Sequence, residues 1–92
     1  MEVHLTTLKR HHAPGMAPEV YDHVNADVAQ SQMGADGFVA HYGVVEDDGI
    51  TVIEVWESKA QHDKWFDATV RPQLPPGTPE PEFWEIRSSR TK

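Results

Sequence analysis

The sequence contains no cysteine, few basic residues and no long apolar run, and each absence excludes a class of protein. Without cysteine there is no disulfide, no cysteine-ligated zinc site and no thiol nucleophile. Eight lysine and arginine residues stand against fifteen aspartate and glutamate residues, and the longest basic cluster is Lys9-Arg10. Because nucleic-acid binding requires a basic stripe that meets the phosphates, no nucleic-acid partner is expected.

The hydropathy of the chain predicts no association with a membrane. No apolar stretch approaches the roughly 18 residues of a membrane span, and the N-terminus lacks the basic-then-apolar order of a signal peptide. A cytoplasmic protein is therefore expected. The 92 residues predict one domain over 1–92, with an ordered core at about 1–87 and a polar tail at 88–92. A chain this short buries only about 60–65% of its unfolded surface, which favours a homodimer as the source of further burial.

Hydrophobic periodicity predicts six elements in the order β-α-β-β-α-β. The expected strands are Val3–Leu8, Gly37–Glu46, Ile50–Glu57 and Phe83–Arg87, and the expected helices cover about 18–33 and 58–70. A polar turn is expected over Lys9–Gly15, where His11 and His12 have no partner at metal-ligand spacing, and a proline-rich connector over Gln73–Pro81. This order predicts the ferredoxin-like α+β fold, a four-stranded antiparallel sheet with two helices on one face.

Local signals at the turns support these boundaries. Pro18 suits the first turn of a helix, Asp48-Gly49 favours a tight hairpin loop, and Ser58 with Gln61 is typical of a capped helix start. The sheet face without helices is expected to carry the apolar side chains of Phe38, Tyr42, Ile53 and Val55. Pairing with a second copy of the chain would cover these side chains, which again indicates a homodimer.

A strand that runs directly into Trp56-Glu57-Ser58 and a helix resembles the antibiotic-biosynthesis monooxygenase family of dimeric α/β barrels. The resemblance covers about residues 1–87 and is carried by Gly37-Phe38, by Val52–Ser58 and by the aromatic helix through Trp65. It implies a dimeric α/β barrel and, as in the cofactor-free members of that family, oxygenation of a small molecule without a cofactor. Because members of the family differ in activity, the fold alone does not fix the function.

Two positions depart from the pattern of this family. Haem-degrading members carry a histidine at the position that corresponds to Pro75 here, so the resemblance of Trp65 to their tryptophan does not imply haem. Common members carry an apolar residue where this chain has His62. His62 is either part of a pocket between the helices and the sheet or a polar residue that the helix surface tolerates.

Strand pairing is expected to bring several candidate residues onto one face of the sheet. With Asp48-Gly49 as the two-residue loop, His41 lies opposite Trp56, and Gly43 lies opposite Glu54. His41 and Glu54 are then diagonal neighbours, about 7–8 Å apart at the backbone and within reach of a hydrogen bond. A three-residue loop would destroy this grouping, because it would move one strand's side chains to the other face.

The His41–Glu54 pair is the candidate catalytic group, with His41 as the general base and Glu54 as the carboxylate that orients it. A carboxylate beside an imidazole fixes the ring tautomer and makes the ring a better proton acceptor near neutral pH. Such a base could deprotonate a phenol or an anthrone-like compound whose carbanion then reacts with oxygen, or it could drive isomerisation or cyclisation. Tyr21 could hydrogen-bond a phenolic ligand. The candidate substrate-binding residues are Trp56, His62, Trp65 and Phe66, and no metal or cofactor is expected.

Other functions fit the same residues. The His41–Glu54 pair also fits a polar pair that only holds the sheet together, and Trp56 and Trp65 also fit core packing. The chain would then be a non-catalytic binding or auxiliary protein that uses the same pocket, or a structural protein with a filled core. For the enzyme and the binding protein alike, the expected partner is a small aromatic or polyketide-like molecule. Saturable binding without a product would distinguish the binding protein from the enzyme.

Overall fold

The structure, a computed structural model, describes residues 6–92. The strands are β1 (Thr7–Pro14), β2 (Phe38–Glu46), β3 (Gly49–Trp56) and β4 (Glu82–Glu85), and the helices are α1 (Pro18–Met33) and α2 (Lys59–Thr69). A single 3-10 turn, Arg71–Gln73, follows α2. The four strands form one antiparallel sheet in the order β2-β3-β1-β4. The predicted ferredoxin-like α+β fold is confirmed.

The first strand is longer and later than the sequence pattern indicates. The predicted polar turn over Lys9–Gly15 is wrong, because β1 pairs with β3 along its whole length up to Pro14. The positions Val3 and Leu5, on which the predicted strand depended, lie outside the described residues. The polar run forms a strand because Lys9 is paired with the buried Glu54 directly across from it, which compensates for the cost of burying a charge.

The β2–β3 hairpin differs from its prediction by one residue in the position of the loop. Glu46 pairs with Gly49, so the loop residues are Asp47-Asp48 and not Asp48-Gly49. A side chain at Gly49 would collide with the carbonyl oxygen of Ala13 on β1, so the glycine is needed within the sheet. Because the loop moves by one residue, residues of β2 pair with the residues of β3 two positions before the predicted ones. An even change in register keeps side chains on the same face, so the predicted grouping by face is retained.

A β-bulge at the start of β2 changes the face of one predicted residue. The register shifts between Phe38 and Ala40, so that Phe38 pairs with Trp56. The two rings meet edge to face with centroids 5.4 Å apart on the helix side of the sheet. The prediction that Phe38 lies on the face without helices is therefore wrong, because a bulge adds a residue to one strand and breaks the alternation.

Both helices cover the sheet face that carries Glu54 and Trp56, and the core lies between them. The largest fully buried side chains are those of Trp56, Phe66, Ile50 and His62. Ser58 caps α2 as predicted, with its hydroxyl oxygen accepting the backbone N–H of Gln61 at 3.2 Å.

The opposite sheet face has no helix on it. Tyr42 and Val44 on β2 and Trp84 on β4 are exposed there, and the predicted homodimer that would cover them stays a prediction. Within residues 6–92, no helix has both the length and the apolar character that crossing a membrane requires.

Candidate active site

A cavity of about 90 Å³ lies between the helix-side face of the sheet and the two helices. We call it the inner cavity. Most of its lining side chains are apolar, and they include Val24 and Val28 of α1 and Ile50 and Val52 of β3. The polar side chains among them come from several elements: Lys9, His11, Tyr21, Asn25, Gln32, His41, Glu54 and Thr78. A small apolar cavity with a few convergent polar groups is the arrangement that small-molecule sites share.

Glu54 is the centre of the polar network in this cavity. Its Oε2 accepts hydrogen bonds from Nδ1 of His41 and from the side-chain amide of Gln32, both at 2.7 Å. Its Oε1 accepts the indole N–H of Trp56 at 2.9 Å and lies 3.5 Å from Nζ of Lys9. The carboxylate is almost fully buried, so these four donors replace the water that it would otherwise bind.

The partners of His41 fix the orientation and tautomer of its ring. Because the Glu54 carboxylate accepts the Nδ1 proton, Nε2 of the neutral ring is an acceptor, and the Tyr21 hydroxyl donates to it at 2.6 Å. The Tyr21 and His41 rings are stacked, with an interplanar angle of 12°. Tyr21, His41 and Glu54 thus form one hydrogen-bonded chain that begins at the cavity wall and ends on the buried carboxylate.

Gly43 provides the space that Tyr21 occupies. It lies on β2 on the same face as His41, and a Cβ atom there would collide with the hydroxyl and the ring of Tyr21. Since the tyrosine ring is the movable partner in that collision, a side chain at position 43 would displace Tyr21 from His41.

Lys9 is the buried cation of the site. Its Nζ lies 4.3 Å from the centroid of the Phe66 ring as well as beside Glu54. Burial lowers the pKa of Lys9, and the charge and hydrogen bond of Glu54 offset part of that effect. The same burial raises the pKa of Tyr21, and the Glu54 charge adds to it, which keeps the hydroxyl protonated as a donor.

Burial favours the neutral acid of Glu54, but its partners favour the carboxylate more strongly. Burial raises the pKa of this carboxyl, whereas the His41 hydrogen bond, the Lys9 charge and the Trp56 and Gln32 hydrogen bonds lower it, to about 2 overall. Glu54 therefore carries a full negative charge at every pH at which the protein is expected to work.

This shift predicts how the stability of the fold depends on pH. The pKa of Glu54 rises from about 2 in the folded chain to an ordinary 4.5 on unfolding. The ionised Glu54 therefore contributes roughly 3 kcal/mol to the free energy of unfolding. This contribution is complete above pH 4.5 and is lost as pH falls towards 2. Urea unfolding of the wild type and of Glu54→Gln between about pH 5 and pH 2 checks this. The two stabilities should converge as pH falls, and a constant difference between them would contradict the assignment.

The structure separates the predicted substrate-binding residues into two pairs. Trp65 and Phe66 line the inner cavity, whereas Trp56 and His62 are fully buried and do not line it. The His62 ring packs on Phe66 with centroids 5.0 Å apart, and its Nε2 has no hydrogen-bond partner among the described residues. Burial and the nearby Lys9 charge lower the pKa of His62, while a hydrogen bond to Asp63 opposes them. His62 is thus a neutral ring in the core behind the cavity.

Sequence reasoning missed several groups that the fold brings to His41 and Glu54. The sequence pattern predicts a turn for Lys9 and His11 and indicates no role for Gln32. It indicates a ligand-binding role for Tyr21 and no contact with His41. The alternation of Lys9, His11 and Ala13 along one strand face was the available signal for the first two, whereas Gln32 and Tyr21 depend on how α1 packs. Among residues 6–92, no group of three or more His, Asp or Glu side chains could hold a metal ion.

Comparison with solved structures shows the fold of the antibiotic-biosynthesis monooxygenase family. A monooxygenase from the gene ActVA-Orf6 of Streptomyces coelicolor, solved with the ligand nanaomycin D, is similar with a TM-score of 0.64 and 19% sequence identity. That match covers 98% of this chain and 93% of the other. SnoaB, a cofactor-independent oxygenase from Streptomyces nogalater, is similar with a TM-score of 0.60 and 18% identity, over 97% of each chain. No protein-family profile and no curated protein sequence matches this chain.

Proposed function

We propose that this protein is an enzyme that oxygenates a flat phenolic or polyketide-like substrate without a cofactor, with His41 as the base. The observation that carries the proposal is the hydrogen-bonded chain from Tyr21 through His41 to the charged Glu54, at the wall of a mainly apolar cavity. The similarity to a monooxygenase solved with nanaomycin D and to the cofactor-independent oxygenase SnoaB supports the same kind of activity.

The proton is the first atom to move in the proposed reaction. A phenolic or enolic hydroxyl of the substrate donates to the Tyr21 oxygen, and the Tyr21 proton passes to Nε2 of His41 over a distance of 2.6 Å. The imidazolium that forms keeps its hydrogen bond to Glu54, whose charge stabilises it. The exclusion of water from a mainly apolar cavity strengthens this interaction, because the surrounding dielectric constant is low.

The charges of the cavity balance after this proton transfer if Lys9 faces the substrate anion. Before the transfer Lys9 and Glu54 neutralise each other, and the substrate is neutral. Afterwards Glu54 neutralises the His41 imidazolium, and the substrate anion neutralises Lys9. We therefore assign Lys9 the stabilisation of the delocalised substrate anion, an electrostatic role that buried cations perform well.

Oxygen then reacts with the electron-rich ring carbon of this anion. The anion gives one electron to O₂, and the two radicals join to form a carbon–oxygen bond and a peroxide anion. The peroxide takes a proton from the His41 imidazolium and then loses water to leave a carbonyl group. One oxygen atom ends in the product and the other in water, and the substrate gives up two hydrogen atoms, one from its hydroxyl group and one from the ring carbon.

Two further features belong to the proposal. A homodimer would cover the exposed apolar side chains of Tyr42, Val44 and Trp84 on the face of the sheet that bears no helix. The net charge of −7 favours neutral over anionic substrates, because the surrounding field repels anions before they bind. A cytoplasmic location is the setting that we propose for this activity.

The test is an oxygen-consumption assay with anthrone and 1-naphthol as probes, against heat-unfolded protein as the control for spontaneous oxidation. The expected result is saturable O₂ uptake in equal amount to the quinone that forms. Product formation without O₂ uptake would instead indicate isomerisation or cyclisation by the same base. If neither probe binds and neither causes O₂ uptake, the proposed function is refuted.

A binding protein without catalysis is the second candidate, and one contact favours it. The Tyr21 hydroxyl already satisfies Nε2 of His41, so the histidine has no free acceptor in this structure. In that case Tyr21 alone would meet the ligand. Saturable binding of 1-naphthol without any product, retained after His41→Ala, is the result that this function requires.

A further inference from the structure

A groove on the protein surface lies beside the inner cavity and has walls in common with it. We call it the outer groove. It has a volume of about 440 Å³ and lies between the segment that joins β1 to α1 and the proline-rich connector before β4. Four residues line both spaces: Ala13, Met16, Leu74 and Thr78. The two spaces are thus adjoining parts of one concave region.

The walls of the outer groove carry no charge. Every side chain that lines it is apolar except that of Thr78, whose hydroxyl donates to the backbone carbonyl of Pro75 and is therefore satisfied. A groove of this chemistry offers a ligand hydrophobic contact and no ion pair. It suits an uncharged apolar group and disfavours a carboxylate or phosphate, which would lose its hydration without compensation.

The connector that forms one wall is held in place by its ends. The His11 ring donates from Nε2 to the carbonyl oxygen of Pro79 at 2.7 Å, and Arg71 pairs with Glu80 at 3.0 Å. Prolines at positions 75, 76 and 79 restrict the backbone between these contacts. The wall is therefore largely ordered before any ligand arrives, which reduces the entropy that binding would cost.

The size of the inner cavity argues that the substrate extends beyond it. A cavity of about 150 Å³ holds one benzene molecule, and the inner cavity is smaller, at about 90 Å³. It is therefore too small to enclose a whole ring, and it accommodates only the reacting edge of a larger molecule. The remainder of such a molecule must lie in the adjoining space, and the shared wall at Met16 and Leu74 leads to the outer groove.

We propose that the outer groove is a substrate subsite, which binds the uncharged apolar part of a molecule whose phenolic hydroxyl and reacting ring edge enter the inner cavity. This inference rests on the proposed function, and it names the substrate class more narrowly. The substrate is a phenol or enol that carries an apolar extension, either fused rings or an alkyl chain, and no anionic group at that end.

The experiment compares two probes, 4-ethylphenol and 4-hexylphenol, by calorimetric titration of the wild type and two variants. Val20→Trp places a large ring in the outer groove, because Val20 lines that groove and not the inner cavity. Met33→Trp is the matched control, since Met33 is an exposed residue of the same helix that lines neither space. Near-ultraviolet circular dichroism checks that both variants are folded.

The wild type is expected to bind 4-hexylphenol about 10-fold or more tightly than 4-ethylphenol, because the longer chain leaves water on binding. Val20→Trp should remove most of that gain and leave 4-ethylphenol binding within about 2-fold, and Met33→Trp should change neither. Equal binding of the two probes by the wild type, or equal effects of the two variants, would overturn the subsite and leave the proposed function intact. Failure of both phenols to bind the wild type would overturn the proposed function and the subsite with it.

Discussion

Replacing His41 with alanine is expected to lower kcat for the proposed oxygenation by about 10²–10⁴-fold and to leave KM nearly unchanged. The base is removed, whereas the apolar wall that holds the ring remains. Tyr21 loses the acceptor of its hydroxyl proton, so it cannot pass on a proton from the substrate. Initial rates of O₂ uptake with anthrone, measured from about pH 6 to pH 9, give both constants.

A matched control separates this loss from a general effect of removing a histidine. His23 lies on α1 and is exposed, and among residues 6–92 its only ion-pair contact is with Asp27 on the same helix. His23→Ala should therefore retain wild-type kcat. A second check uses pH, because the loss in His41→Ala should shrink at alkaline pH, where hydroxide in solution replaces part of the base. A variant that keeps wild-type turnover would exclude His41 as the proton acceptor.

Replacing Glu54 with leucine should destabilise the fold by about 3–5 kcal/mol, the range typical of breaking a buried ion pair from one side. Lys9 would then be a buried cation without its counter-ion, and His41, Trp56 and Gln32 would each lose an acceptor. Urea unfolding at pH 7 measures the loss as a fall in the midpoint at constant slope.

The double variant with Lys9→Met tests whether the charge on Lys9 is the main cause. Removing both charges leaves no uncompensated ion in the core, so the double variant should be more stable than Glu54→Leu alone. An exposed pair of opposite charges, Asp67 on α2 and Arg71 in the 3-10 turn after it, provides the comparison. Asp67→Ala should cost less than about 1 kcal/mol, since exposed pairs contribute little. Additive effects of the Lys9 and Glu54 changes would show that the two charges do not interact.

Most of the fold was predictable because most of its helices and turns are determined by residues that are close together in the sequence. The helical spacing of Val20, Val24 and Val28 and the turn at Asp47-Asp48-Gly49 depend on neighbours in the sequence. β1 was not predictable in the same way, because Lys9 is tolerated in the sheet only through Glu54, which is distant in sequence. The bulge at Val39 and the one-residue shift of the hairpin loop likewise depend on contacts between elements.

The candidate site was predictable only where two strands alone determine it. His41 and Glu54 share a face because side chains alternate along both strands, and an even slip in register preserves that relation. The contacts of Tyr21 and Gln32 depend on the position and rotation of α1 over the sheet, which a single sequence does not specify. For the same reason the sequence could not separate Trp65, which lines the cavity, from Trp56, which lies behind it.

The close approach of Tyr21 to Gly43 links the choice of residue at two positions that are far apart in the chain. A protein that diverges from this one can gain a side chain at position 43 only if the tyrosine at position 21 is lost or moves away. The two positions are therefore expected to change together during evolution. A relative with glycine, tyrosine and histidine at positions 43, 21 and 41 would share the proton path described above. One with valine at position 43 would have to bring a different group to the imidazole, and with it a different chemistry.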